Sequence, residues 1–187
     1  MGVDPDKIRK VGETQATEFK KSLQRQREAL QALCGMLNSQ SARGEVLFGV
    51  SPDGTVVGVD EGNLDSVQKK LAQKVRDGFE PRVTCSIEIL EDDGKTLVSL
   101  KARRAAGIPY HEYRGRAYIR EGSTTRILSY SDKQQLAKRR DRDQHTGPWK
   151  CDRCGAIAGV LVSMTITDRG VHKSYTCGCG GEFWPII

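Results

Sequence analysis

The chain has 187 residues, of which 37% are apolar and 6% aromatic, and it carries a formal net charge of +6. That length holds one medium domain, or one with a small appendage, around an aliphatic core of about 140 residues. The longest apolar stretch, Ile157–Met164, falls far short of the roughly 20 residues that span a bilayer, so no membrane partner and a cytoplasmic location are expected.

In chain order, residues 1–12 lack periodicity and read as a lead-in. Thr17–Lys20 reads as a short strand. Ser22 is placed to cap a helix running to about Ser39, because Leu23, Leu30, Leu33 and Leu37, with Ala29, Cys34 and Met36, recur on one helical face. The stretch Glu45–Val59 then organises the domain. Val46, Leu47, Phe48 and Val50 make a near-continuous apolar run, as expected of a strand covered on both faces. Val56, Val57 and Val59 make a second run. Asp53-Gly54 between them is a hairpin signal, since Gly accepts positive φ and Asp tolerates it. The expectation is a central strand with an amphipathic helix on either side.

Asn63 is placed to cap the next helix, whose Leu64, Val67, Leu71 and Val75 form an apolar stripe ended by Gly78. Strands are expected at Val83–Leu90 and Thr96–Ala102 around the turn Asp92-Asp93-Gly94-Lys95, with Val98, Leu100 and Ala102 inward. Pro109–Glu112 and Arg116–Arg120 read as an extended pair about Arg114-Gly115, and residues 121–126 as a polar loop. Ser131 is expected to cap a last helix, Asp132–Arg142. His145–Pro148 reads as a linker, with a domain boundary near Gln144–Trp149. Beyond it, short β runs at Gly159–Thr167 and Ser174–Thr176 lie among cysteines.

The charge is uneven. Residues 97–142 hold 12 Lys/Arg against 4 Asp/Glu, residues 1–96 hold 14 against 16, and residues 143–187 hold 4 against 4. A basic excess confined to one stretch is the footprint of a phosphate-rich partner. Within it, Arg114, Arg116, Arg120, Ser123, Thr124, Thr125 and Arg126 combine guanidinium forks, hydroxyls and a glycine turn, a donor set suited to phosphate oxygens. Lys138, Arg139 and Arg140 extend it along the last helix. Tyr110, Tyr113 and Tyr118 interleave as platforms on which unpaired bases could stack.

The six cysteines divide in two. Cys34 and Cys85 sit in apolar-periodic contexts and read as buried small hydrophobes. Cys151 and Cys154 form a Cys-x2-Cys pair, and Cys177 and Cys179 a Cys-x-Cys pair with 22 residues between the two. Four thiolates satisfy tetrahedral zinc at about 2.3 Å each, and so short a segment needs such a staple. A closed four-thiolate site of this kind is structural. No Gly-x4-Gly-Lys-Ser/Thr sequence is present, so the residues give no support to nucleotide hydrolysis.

Four pieces of the chain resemble the AlbA-like domain of Schlafen-type proteins. They are Glu13-x4-Glu18-Phe19-Lys20; Asn38 followed by Gly44 and the run Val46–Val50; Asp53-Gly54-x-Val56-Val57-Gly58; and Tyr118-Ile119-Arg120-Glu121-Gly122-Ser123-Thr124-Thr125. The likeness spans roughly residues 13–142 and stops before the C-terminal cysteines. It departs from the family pattern in having Arg43-Gly44 for a double glycine and a longer loop, Ser39–Arg43. The resemblance implies a nucleic-acid-binding domain. It also implies that Glu13, Glu18 and Asp53 would coordinate a divalent ion, Mg²⁺ or Mn²⁺, in a metal-dependent RNA endonuclease.

The expected fold is α+β: a mixed or antiparallel sheet with flanking helices over residues 13–142, then a small β-rich zinc ribbon over residues 149–187. The leading functional expectation is a module that contacts the backbone phosphates of DNA or RNA through its basic face. The alternatives are the endonuclease and a protein-interaction adaptor whose ribbon docks a protein partner.

Overall fold

In a computed structural model of the chain, residues 12–60, 62–105, 107–145, 149–151, 160–167, 170–176 and 183–185 are described, with side chains as far as Lys138. The chain divides into two compact units, Met1–Lys138 and Arg139–Ile187. Residues 1–11 of the lead-in, residues 146–148 of the linker, Cys154, Cys177 and Cys179 lie outside the described residues, as do the side chains of Arg139, Arg140 and Cys151.

The first unit is α+β. Its sheet holds β1 (Thr17–Lys20), β2 (Arg43–Phe48), β4 (Thr84–Asp92) and β5 (Lys95–Arg103) in the spatial order β1-β2-β5-β4. β1 runs parallel to β2, and the other pairs are antiparallel. Between β1 and β2 the chain makes a single 3-10 turn, Leu23–Arg25, and helix α1, Gln26–Asn38; after β2 comes helix α2, Leu64–Gly78. Side chains alternate across a strand. Val46, Phe48, Val98, Leu100 and Ala102 therefore share one face, and both helices pack on it through Leu30, Leu33, Leu37, Val67, Leu71 and Val75. The helices flank the central strand in sequence but lie on the same side of the sheet. The opposite face buries a smaller cluster of Phe19, Leu47, Val50, Val56 and Leu97. Leu97 and Ser99, the outward set by parity, are buried as well, and Ser99 donates to Glu45 Oε1 at 2.7 Å.

The Asp53-Gly54 turn forms as the sequence predicts, with Ser51 N–H donating to Thr55 O and Thr55 N–H to the Asp53 carboxylate. Its return arm forms no strand. Both edges of β2 are already taken by β1 and β5, so only Val50 and Val56 bridge, and Val59 N–H turns to Thr96 O at 2.8 Å. Asn63 caps α2 by accepting from Ser66 N–H at 2.9 Å, whereas Ser22 makes no side-chain cap. Gly78 closes α2 for a reason of space: a Cβ there would stand 2.6 Å from the Tyr113 ring.

Residues 112–127 fold differently from the predicted pair. β6 (Glu112–Tyr113) joins β3 (Phe79–Glu80), and β7 (Tyr118–Glu121) forms a hairpin with β8 (Thr124–Ile127) around Gly122-Ser123. The expected polar loop is thus one arm of a hairpin, since Thr124, Thr125 and Ile127 are β-branched and favour extended backbone. Helix α3 spans Tyr130–His145. Its start is clamped by Ser129, not Ser131: Asp132 N–H donates to Ser129 Oγ at 3.1 Å, and Ser129 N–H to Asp132 Oδ2 at 3.0 Å, a reciprocal capping arrangement.

The second unit contains β9 (Trp149–Cys151) paired with β12 (Phe183–Pro185), and the hairpin of β10 (Val160–Thr167) with β11 (Gly170–Thr176). Among the described residues no helix is long and apolar enough to cross a membrane.

Asn38 ties the C-terminal end of α1 to the 111–118 segment. Its Nδ2 donates to His111 O and Tyr118 O, and its Oδ1 accepts from His111 N–H, each at 2.8 Å and fully buried. Removing one partner from such a bond strands a buried polar group, so Asn38→Ala should cost at least about 2 kcal/mol. Urea unfolding of the full chain measures it; a loss within about 0.5 kcal/mol, the range of ordinary surface substitutions, would remove Asn38 from this role.

Candidate nucleic-acid interface

The hairpin β7–β8 lies against α1, and its approach depends on Gly35. A Cβ at that position would sit 3.1 Å from Arg120 N and from Ile119 C, inside ordinary contact. Gln31 Nε2 donates to the Tyr118 hydroxyl at 3.0 Å from the same helix. An open groove of about 440 Å³ follows this seam, lined by Glu18, Gln31, Arg116, Tyr118, Arg120, Ser123, Thr125 and Ile127 among others.

Alternation along β7 decides which groups face the groove and which face the core. Tyr118 and Arg120 point inward, and Glu121 is exposed. Arg120 is 1% exposed. Its Nη1 pairs with Glu18 Oε2 at 2.6 Å, Nε donates to Thr14 O at 3.1 Å, and Nη2 to Thr17 O at 3.3 Å. Glu18 also pairs through Oε1 with Lys20. A guanidinium enclosed in this way holds β1 to β7 and is closed to an external phosphate. Arg120, expected on the binding face, instead forms its floor.

Arg126 is likewise engaged. It binds Glu121 Oε1 at 3.0 Å and Asp132 Oδ2 at 2.9 Å, joining the hairpin to the start of α3. The Arg126 guanidinium, and after it the Ser129 amide, hold the Asp132 carboxyl down at about 2. Arg114, Arg116, Ser123, Thr124 and Lys138 are exposed, and Thr125 is half-buried. The Arg114 guanidinium lies over the Tyr113 ring, 5.7 Å from its centroid. Among the described residues no carboxylate pairs with Arg116. Arg116, Ser123 and Thr125 therefore meet at one groove, as the sequence places them, while Arg120 and Arg126 serve internal pairs. The tyrosines named as stacking platforms are sequestered: Tyr113 and Tyr118 are buried, and Tyr110 is half-buried under the Lys133 ammonium. The exposed apolar groups nearby, Ile127 and Tyr130, are ones the sequence reading missed. A signal for Tyr130 was present: Ser129-x-x-Asp132 is a capping pattern, and it fixes the helix start one residue before the tyrosine.

The carboxylates Glu13, Glu18 and Asp53, which the family resemblance implies as metal ligands, each have partners within the protein. Glu13 Oε1 accepts from Phe19 N–H and Asp53 Oδ1 from Thr55 N–H, both at 3.1 Å, while Glu18 is paired with two cations. Among the described residues no three His, Cys, Asp or Glu side chains come together to hold an ion. A hard divalent cation needs several oxygens converging at about 2.0–2.6 Å. These residues do not fit one.

The family model described as Schlafen, AlbA_2 matches residues 13–129. The chain belongs to this family, which points to a nucleic-acid-binding or related function. Among solved structures it is similar to the N-terminal domain of a RecG-related protein from Nitrosomonas europaea, at 21% identity and TM-score 0.47, covering 67% of this chain and 92% of that one. It is also similar to the DIP2311 protein of Corynebacterium diphtheriae, at 12% identity and TM-score 0.49, covering 82% of this chain and 26% of that one. No curated protein matches.

Breaking a buried pair by removing one charge costs about 3–5 kcal/mol, whereas replacing both partners by apolar groups is often neutral. Glu18→Gln should therefore lower the stability of the first unit by roughly that amount, and Glu18→Leu with Arg120→Met should recover much of it. Thermal unfolding monitors both variants, and equal stability of Glu18→Gln and wild type would mean the pair is not formed.

Proposed function

We propose that this protein binds nucleic acid through backbone phosphates on the face made by Arg114, Arg116, Ser123, Thr124, Thr125 and Lys138, and that it binds without cutting. The observation that carries the reading is Arg116: an exposed guanidinium without a carboxylate partner among the described residues, beside the Ser123 and Thr125 hydroxyls at one groove. Phosphate oxygens are matched by such a fork and by hydroxyl donors, and backbone contact of this kind requires no particular base. Arg139 and Arg140 continue the charge along the helix in sequence. Against the endonuclease alternative stand the two cations on Glu18, which leave the carboxylate little to offer a metal ion. A protein-interaction adaptor would lack the salt dependence described next.

Each phosphate contact releases about one counterion, so Arg114→Gln, Arg116→Gln and Lys138→Gln combined should flatten the slope of log affinity against log salt by about three. Lys69→Gln with Lys70→Gln, on the exposed side of α2, should leave it near the wild-type value. Titration of a labelled oligonucleotide across a salt series reads both, and indistinguishable slopes would refute the assigned face.

We further propose that Cys151, Cys154, Cys177 and Cys179 hold one structural zinc ion. The spacing supports this. Elemental analysis should give about one zinc per chain, and Cys154→Ser should release it. A zinc-free protein whose second unit keeps its strands would exclude the site.

A further inference from the structure

We propose that Tyr130, three positions along the chain from Ile127, is a stacking platform for an unpaired base, and that the partner of this region is single-stranded nucleic acid. The inference rests on the phosphate-binding reading above. Tyr130 is 77% exposed and Ile127 53% exposed, whereas Tyr113 and Tyr118 are buried. Ile127 lines the groove that contains Arg116, Ser123 and Thr125. Three chain steps separate it from Tyr130, so their Cα atoms lie within about 11 Å at 3.8 Å per step.

The backbone of Tyr130 is fixed although its ring is free. Leu128 is buried and donates its N–H to Ala117 O at 2.9 Å. Ser129 and Asp132 cap one another across Tyr130, and Arg126 holds Asp132 from the hairpin. An aromatic ring presented in this way on a rigid base loses little freedom on contact, the condition under which a ring binds tightly. Charge complementarity selects the occupant. Ile127 lines a groove that holds the exposed guanidinium of Arg116, and the stretch that carries Tyr130 is strongly basic. A polynucleotide offers both an anionic backbone and flat apolar bases. In a duplex each base face is already covered by its neighbours, so the ring adds affinity only for unpaired strands. Base–aromatic stacking is also tolerant of sequence.

The test uses the full chain, with single-stranded RNA, single-stranded DNA and a duplex, each carrying 2-aminopurine, read by anisotropy and base fluorescence. Tyr130→Ala should weaken binding of one or both single strands about 5- to 100-fold, abolish the quenching of 2-aminopurine, and leave duplex affinity within about twofold. Tyr130→Trp should preserve both signals, since stacking needs a ring and no hydroxyl. Equal losses for single strands and duplex would overturn the proposal, and so would no loss at all. A change confined to self-association, seen by sedimentation, would overturn it too and make the patch a contact between copies. Arg116→Gln separates the two readings. If it weakens every nucleic acid while Tyr130→Ala weakens none, the phosphate face stands and the stacking platform falls. If it weakens none, the phosphate face itself fails.

Discussion

A guanidinium removed from water must have its donors met, and in this domain that requirement falls on Arg120. Five N–H groups in a rigid plane need acceptors from several directions. The chain supplies them from the Thr14–Thr17 bend, from Glu18 on β1 and from Thr125 on the neighbouring strand. No one of these segments is held in place alone. β1 has four residues and sits at the edge of the sheet, and the β7–β8 hairpin pairs only with itself. The buried pair links them, and Gly35 and Asn38 on α1 set the distance at which the link closes.

The same constraint separates structure from surface within one short motif. In Tyr118-Ile119-Arg120-Glu121-Gly122-Ser123-Thr124-Thr125, strand parity sends Tyr118 and Arg120 into the protein. The turn then presents Ser123 and Thr124 to solvent. Residues that look like one donor cluster on paper divide into a scaffold and a face. Glu18 belongs to the scaffold for the same reason: its carboxylate is held by the buried Arg120 guanidinium and by Lys20. Exposed hydroxyls on the turn and charge neutralisation beneath them are therefore carried by adjacent positions.

Much of the fold was legible because it is local. The apolar stripes of α1 and α2, the Asn63 cap, the Asp53-Gly54 and Asp93-Gly94 turns and the β4–β5 hairpin all follow from periodicity and turn chemistry, which act over a few residues. What escaped reading depends on distant segments. Residues 121–126 looked like a polar loop because Thr124 and Thr125 are hydroxylated and Arg126 is charged, and only pairing with Tyr118–Glu121 makes Thr124–Ile127 a strand. Val56–Val59 looked like a strand, yet the positions beside β2 were filled from elsewhere in the chain. The candidate interface residues were legible as a charge excess. Their sorting was not, because charge composition carries no information on which arginine meets a carboxylate from a hundred residues away, as Arg120 meets Glu18.

The outer position of β4 has a consequence for the protein in crowded solution. Among the described residues its nine-residue edge is not paired on the far side, and an open ladder of that length is a template for another chain's backbone. Glu88, Glu91 and Asp92 set negative charge along it. A second copy docking edge to edge would bring the same charges together, at a cost that rises as salt is lowered. A border that repels its own kind holds neighbouring copies of the domain apart, as separate beads rather than as a continuous sheet.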